Sequence, residues 1–325
     1  MGQNVCFSVI VPMYNEEAVI EETYRRLKKV MNQSGDSYEL IFINDGSHDR
    51  CCEMMKECAR WDKTVKLIDF SRNFGHQIAI TAGMDYAKGD AVIIIDADLQ
   101  DPPELIFDMI EKWKEGYEVV YAKRAKRKGE TVFKKLSARH FYRVLRAATE
   151  INIPVDTGDF RLMDRKVCDQ MRRIKESNRF VRGLVSWGGF RQTAVEYVRD
   201  ERFAGETKYP LKRMIKLCLD GILSFSHKPL KLAIYSGLLL SGTGFVYLLY
   251  VLYLALFTQA TIKGWSSLIS IMLVFNGFTL FILGILGEYI GRIYDETKGR
   301  PLYIVRDVYG EEEQMKLPNQ WMIHS

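Results

Sequence analysis

The sequence predicts an α/β fold, a parallel sheet covered by helices on both faces, followed by two C-terminal transmembrane helices. Three observations predict it. Apolar strand-like runs alternate with single helical segments from Phe7 to Arg124. Polar clusters fall at the ends of those runs. Two uncharged stretches, Leu232–Phe257 and Gly264–Gly287, each exceed the roughly 20 residues needed to cross about 30 Å of hydrocarbon.

The elements come in a regular order. "FSVIVPMYN" is an apolar run ending at Pro12. "EEAVIEETYRRLKKVM" has helical periodicity, with acids at its front and bases at its rear, as the helix dipole favours. "YELIFINDGS" reads as a second strand and "DRCCEMMKECARW" as a second helix. "VKLIDFS", "HQIAITAGMDYAK" and "AVIIIDAD" continue the alternation. "PPELIFDMIEKWKEG" opens a helix on prolines, and "YEVVYAKR" is the fifth strand. Strands joined by single helices pair in parallel through right-handed crossovers, which cover both faces of the sheet. Ligands then bind beyond the carboxyl ends of the strands. Tyr14-Asn15-Glu16, Asn44-Asp45-Gly46-Ser47, Ser71-Arg72-Asn73 and Asp96-Ala97-Asp98 all fall there, so one site is expected at that edge.

Asp96 and Asp98 are the sharpest signal. Alternation at the strand end turns both to the same side, where two carboxylates repel and need a cation. Hard oxygen donors select Mg²⁺ or Mn²⁺, and Gln100 supplies a further oxygen two residues on. The competing structural role is capping of the next helix by Asp98. Asp45 could accept hydrogen bonds from a base or ribose, and Gly46 permits a tight turn. Ser47 either caps the following helix or meets a ligand. Pro12, Tyr14 and Glu16 form a shelf at the first strand end. No G-x-G-x-x-G follows the first strand and no G-x-x-x-x-G-K-[ST] occurs, which disfavours dinucleotide oxidoreductases and P-loop kinases.

Charge and cysteine content narrow the setting. The chain of 325 residues carries 46 Lys and Arg against 41 Asp and Glu, a net charge of +5. So small an excess gives no reason to expect a nucleic-acid partner. Its six cysteines lack a C-x-x-C spacing and are expected to be reduced thiols. No secretory leader is expected, and Cys6 stands where a myristoylation signal needs Ser or Thr. From Lys123 to Lys231 the chain turns basic: "AKRAKRKGETVFKKLSARHFYRVLRAA" holds ten bases and one acid. Alone, such a stretch reads as a solvated helix face. Just before the first span, the basic and apolar-faced "KYPLKRMIKLCLDGILSFSHKPLK" reads as interfacial, held by anionic headgroups. The loop "TQATIK" between the spans has one base while both outer flanks are basic, so both termini are expected in the cytoplasm.

"SVIVPMYNEE", "FINDGSHD", "SRNFGHQIAITAGMDYAKGD", "IIIDADLQDPPE" and "DTGDFRLMDR" together resemble glycosyltransferase family two. More closely they resemble the polyprenyl-phosphate sugar transferases, both bactoprenol glucosyltransferases and dolichol-phosphate mannose synthases. The resemblance covers nearly the whole chain. It implies a GT-A, Rossmann-like catalytic domain over 1–207, amphipathic interfacial helices over 208–231, spans at 232–257 and 264–290, and a cytoplasmic tail over 291–325. It implies inverting transfer of one sugar from a nucleotide-sugar donor to a polyprenyl phosphate, undecaprenyl phosphate in a bacterium. UDP-glucose is the first expectation for the donor, with UDP-N-acetylglucosamine next and GDP-mannose further off.

Carried onto this chain, the resemblance assigns Asp96, Asp98 and Gln100 to the metal and diphosphate. It assigns Pro12, Tyr14, Glu16, Asp45, Asp96 and Ala97 to the nucleotide. Asp159 is the catalytic carboxylate alongside Asp98, with Arg161 beside it for phosphate charge and Asp156 a turn residue. "RFAGETKYP" resembles the acceptor loop, giving Arg202, Gly205, Thr207 and Lys208. Arg124 and Arg139 would face the lipid phosphate, although a lone arginine is more often a surface residue. The resemblance also implies an integral protein of the cytoplasmic membrane serving the cell envelope, assembled as a homotetramer. Two other readings stay open: a processive polysaccharide synthase and a non-catalytic membrane scaffold. Against the first, the only approach to Q-x-x-R-W is Gln170–Ile174, which lacks the tryptophan.

Overall fold

In a computed structural model the protein is described over residues 5–126, 154, 157–198, 228–257 and 264–310. The chain forms β1 (Phe7–Met13), α1 (Ile20–Ser34), β2 (Tyr38–Asn44), α2 (Cys51–Trp61), β3 (Val65–Phe70), α3 (His76–Tyr86) and β4 (Ala91–Ile94). A 3₁₀ turn at Pro103–Leu105 leads into α4 (Ile106–Lys114) and β5 (Val119–Lys126). Then come β6 (Thr157–Asp164), α5 (Arg165–Arg173), α6 (Val181–Trp187) and β7 (Gln192–Val198). Two long helices, α7 (Lys228–Phe257) and α8 (Trp265–Thr297), precede the last described strand, β8 (Val305–Tyr309).

The strands form one eight-stranded sheet in the order β7-β5-β6-β4-β1-β2-β3-β8. Its centre is parallel, as expected, with β1 between β2 and β4 and β3 beyond β2. Period-two alternation divides the buried side chains between two cores. Phe7, Val9, Val11 and Met13 of β1 pack with Ile20, Leu27, Met55 and Ile106 from α1, α2 and α4. Ile10 faces the other way, onto Ile80, Val167 and Leu184 from α3, α5 and α6. Each such fully buried side chain contributes about 1.5–3 kcal/mol. The three-layer arrangement is the one the alternating pattern calls for. The cysteines at 6, 51, 52, 58 and 168 are free thiols.

Three expectations are corrected. The sheet is mixed, because β6 pairs antiparallel with both β4 and β5. The chain leaves β5 at the carboxyl edge and re-enters as β6 at that same edge, so β6 must run against its neighbours. Second, β4 ends at Ile94, before Asp96, and Ala97–Leu99 turns away. Strand alternation therefore does not orient Asp96 and Asp98. Third, residues assigned to a tail return to the domain: β8 adds to the β3 edge, antiparallel, with Asp69 opposite Asp307.

α7 and α8 cover the two uncharged stretches and leave large apolar side chains exposed, Leu239 and Phe257 by 72% and 75%. Among the described residues one segment, Phe275–Thr297, is long and apolar enough to cross a membrane, with a shorter apolar segment at Ala233–Tyr247. α8 runs past the expected boundary at 290 to Thr297 without a break. Residues 208–227 of the interfacial segment, the loop at 258–263 and residues beyond 310 lie outside the described residues; Lys228–Lys231, expected in that segment, already belong to α7.

Gly46 ties the loops that carry the site. Its φ is 66°, and a Cβ there would lie 2.5 Å from the backbone of Arg72 and Asn73. Left-handed strain alone costs an alanine about 1–2 kcal/mol. Gly46→Ala is expected to lower stability by about 2–3 kcal/mol in chemical denaturation. A loss below about 0.5 kcal/mol would show that the loops can separate freely.

Candidate active site

The reversed strand places the second acid. β4 and β6 pair Ala91 with Asp164 and Ile94 with Arg161. Continuing that register by two residues sets Asp159, near the start of β6, opposite Asp96, just past the end of β4. A parallel strand would have carried Asp159 to the far edge of the sheet.

Asp159 is 4% exposed, and each of its carboxylate oxygens is engaged. Arg182, on the first turn of α6, donates from Nε to Oδ1 at 2.7 Å and from Nη2 to Oδ2 at 3.0 Å. Its Nη1 donates to the Thr157 carbonyl at 3.0 Å. Gln77 Nε2 donates to Oδ2 at 3.2 Å, and its Oε1 accepts from Val181 N at 2.9 Å, which fixes the start of α6. His76 Nε2 lies 3.2 Å from Asp159 Oδ2 and 3.4 Å from Asp96 Oδ1, standing between the two acids. Burial works against the Asp159 anion, but the Arg182 charge and the bonds from His76 and Arg182 overcome it. The carboxyl is held well below its usual range. Burial also disfavours a charged imidazole, yet the Asp159 bond and the nearby anions raise His76 to about 9.

Asp96 has the opposite environment. Burial, with the charges of Asp159, Asp101 and Asp98, pushes it up to about 6 against the pull of His76. Its Oδ1 is shielded from water and has no hydrogen-bond partner. Ala97 is buried, and its carbonyl accepts the Thr23 hydroxyl of α1 at 2.7 Å. Leu99 adopts a left-handed φ of 55°, unusual for a branched side chain, in the turn where Asp98 Oδ1 accepts Gln100 N at 3.2 Å. Strain of this kind persists where surrounding contacts enforce it, and it clusters at functional sites.

These observations fit a hard divalent cation. A carboxylate oxygen with no hydrogen bond, met only by His76 at 3.4 Å, an elevated Asp96 and an excess of acids at one strand end all favour added positive charge. No ready-made group of three or more His, Cys, Asp or Glu ligands exists among the described residues. Mg²⁺ tolerates such a site because it completes its shell with water and substrate phosphates.

The β1 and β2 ends supply the rest of the edge. Pro12, paired with Ile43, has no N–H to offer on its β4 side, and the β1–β4 ladder stops at Ile10–Ile94. Tyr14 is 38% exposed just beyond the end of β1, and Glu16 is half-buried. Asn15, at φ 54°, donates its N–H to Ser47 Oγ at 3.0 Å while its Oδ1 accepts His48 N at 2.8 Å. Ser47 thus holds the first loop and caps no helix, since α2 begins only at Cys51. Asp45, expected on a base or ribose, already accepts Asn73 Nδ2 at 2.9 Å, Phe74 N at 2.7 Å and Gly75 N at 3.0 Å. Its carboxylate fixes the loop that delivers His76 and Gln77.

Arg161 also departs from expectation. It is buried, donates to the carbonyls of Asp159 at 3.3 Å and Gly158 at 3.2 Å, and burial lowers it to about 10. It secures the β6 backbone, and the guanidinium on the Asp159 carboxylate is that of Arg182. Arg124 lies within β5, not after it; its Nε donates to Tyr197 Oη at 3.3 Å, and Nη2 lies 3.9 Å from Asp101. Tyr197 donates in turn to Asp101. Arg139, Asp156, Arg202, Gly205, Thr207 and Lys208 lie outside the described residues. Sequence reasoning missed His76, Gln77, Arg182, Asp101 and Tyr197. The polar pair after Gly75 at a helix start was a usable signal for the first two; Arg182 had none, because only the fold brings α6 to β6.

The family models match in two places. Residues 8–172 match glycosyl transferase family 2, and residues 228–293 match the GtrB C-terminal hairpin. A Bacillus subtilis (strain 168) protein named "Uncharacterized glycosyltransferase YkcC" is 68% identical over 322 residues, 99% of this chain and 100% of that one. The "Prophage bactoprenol glucosyl transferase homolog" of Escherichia coli (strain K12) is 40% identical, covering 93% of this chain and 98% of its own. The "Bactoprenol glucosyl transferase" of Shigella phage SfV is likewise 40% identical, over 92% of this chain and 98% of its own. With a family model over residues 8–172 and relatives spanning almost its entire length, this chain belongs to glycosyl transferase family 2.

Proposed function

We propose that the protein transfers a single glucose from UDP-glucose to undecaprenyl phosphate at the cytoplasmic face of the membrane. The observation that carries this reading is the Asp96–His76–Asp159 edge, set at the end of the sheet from which the α8 hairpin leaves. β8 runs antiparallel to β3 and enters the sheet opposite Phe70, at the carboxyl edge. Ser71 N donates to the Ile304 carbonyl at 3.0 Å at that edge. α8 therefore meets the domain on the side that holds the acids. The match to the GtrB hairpin and the relatives named for bactoprenol support a lipid acceptor and two spans at α7 and α8.

The chemistry is dictated by charge. Asp96 and Asp98, with Gln100 near them, would hold Mg²⁺ or Mn²⁺. Bound there, the ion would supply Lewis acidity and a template for the donor diphosphate. The acceptor phosphate oxygen attacks the anomeric carbon, the bond from that carbon to the diphosphate oxygen breaks, and UDP departs. A phosphate monoester is already largely dianionic at neutral pH, its second pKa being about 6. It needs no strong base, and the depressed Asp159 is a poor one. Asp159 instead fixes Arg182 and His76, whose positive charges face the region where two phosphates meet. Arg124, secured by Asp101 and Tyr197, stands on the β5 side of that region. Most of the rate advantage then comes from positioning and fixed charge.

Replacing either ligand tests this directly. Asp96→Asn and Asp98→Asn should each reduce Mn²⁺-dependent UDP-glucose binding by calorimetry, and glucolipid formation, by at least about 100-fold. Unchanged binding and turnover in both variants would overturn the assignment. Growing glycan chains on thin-layer analysis, in place of one labelled lipid, would indicate a processive synthase.

The raised Asp96 gives a pH signature. The cation needs the carboxylate, so protons compete once pH falls below about 6. Mn²⁺ affinity should drop by up to about tenfold per pH unit below that point and level off above it. In Asp96→Asn the residual Mn²⁺ affinity should lose this acid slope. A wild-type profile flat down to about pH 4.5 would contradict the environment described for Asp96.

A further inference from the structure

The hairpin is tied to the catalytic domain at two separate places, one in the last turn of α8 and one beyond it. In its last turn, Glu296 accepts Ser177 N through Oε1 at 2.7 Å and Ser177 Oγ through Oε2 at 3.1 Å. Past the turn at Gly299, Tyr303 is buried and stacks on Phe70 with ring centres 5.2 Å apart. Its hydroxyl donates to Asp85 Oδ2 at 2.9 Å. β8 then pairs with β3, and Arg306 Nη2 donates to the Ser71 carbonyl at 2.9 Å. One anchor would leave α8 free to pivot; two anchors on different elements remove that rotation.

Ser177 matters because it begins the segment that leads into α6. Arg179, nearly buried, donates to the carbonyls of Met171, at 2.6 Å, and Ile174, which fixes the loop after α5. Val181 N is held by Gln77, and Arg182, five positions beyond Ser177, grips Asp159. A short, immobilised path thus joins the end of α8 to the acid opposite Asp96. The joint also carries an electrostatic cost, since burial and the Glu296 charge both raise Glu176.

We propose that Glu296 is a positioning residue. Held on Ser177, it sets the depth and tilt of the acidic edge relative to the bilayer, so that a phosphate fixed at headgroup height meets Arg182 and Asp159. The proposal rests on the reading that the acceptor is a membrane-embedded phosphate. It makes a demand that simple stabilisation does not: the joint matters only for an acceptor that cannot move to the site.

The full-length protein in vesicles tests it, with UDP-glucose as donor and two acceptors. One is undecaprenyl phosphate in the bilayer, the other a water-soluble short-chain prenyl phosphate. Glu296→Ala should lower kcat/KM about five- to tenfold on the embedded acceptor, the scale of losing one ordinary, solvent-accessible hydrogen bond. The soluble acceptor and the donor KM should be unaffected. Glu296→Gln should restore most of the loss, because its amide oxygen can still accept from Ser177 N. Equal losses on both acceptors, or none on either, would refute the positioning role. Wild-type protein that transfers to neither acceptor would instead overturn the functional reading beneath it.

Discussion

The functional edge depends on one reversed strand. Pairing of β6 against β4, with Ile94 opposite Arg161, determines that Asp159 arrives opposite Asp96. Four consecutive parallel strands could collect acids only from their own carboxyl ends. An antiparallel insertion brings the start of a later segment to the same line. Everything else at the site is support for that meeting of two acids from segments far apart in sequence.

Bringing acids together creates an electrostatic problem with two solutions on the two sides. Around Asp159 the chain provides its own cations, Arg182 and His76, and the carboxylate is stabilised. Around Asp96 it provides only a share of His76, 3.4 Å away, so burial and like charge still raise that group, and Oδ1 has no hydrogen bond. Environments that push neighbouring titratable groups apart often mark different chemical duties. Here the satisfied acid organises arginine and histidine, and the unsatisfied one is the acid that the proposed function gives to a metal. The loops agree with this division. Asp45 and Gly46 lock the segment that delivers His76, while Thr23 holds the carbonyl of Ala97.

Much of this was legible in the sequence, for local reasons. Apolar runs and helical periods marked β1 through β5 with their helices, and Asp96, Asp98 and Asp159 were recognisable from their motifs. Features set by tertiary contact were not. Nothing local says that "DTGDFRLMD" is a strand running backwards, or that Arg182 and not Arg161 meets Asp159. Strand alternation predicts a shared side for Asp96 and Asp98, yet β4 stops at Ile94 and the left-handed Leu99 governs the turn. Residues 305–309 carry too short a pattern, after a long helix, to announce an eighth strand. Asp45 is expected at a ligand, and its carboxylate also holds its own backbone, a role that a strand-end position in the sequence does not reveal.

The hairpin and the sheet form one mechanical unit, since the chain that leaves α8 re-enters the sheet beside β3. A site for a membrane-embedded phosphate gains from such a joint, because only one of the two reactants is free to diffuse to it. On the proposed function, the chemistry turns on a cation held between the paired strand ends. Anomalous diffraction from crystals grown with Mn²⁺ and UDP-glucose locates that cation without intermediaries. One strong peak is expected, coordinated by Asp96 or Asp98 and donor phosphate, on the side of the sheet edge facing Asp159 and Arg182. A donor bound with Mn²⁺ elsewhere, and both aspartates uncoordinated, would contradict it.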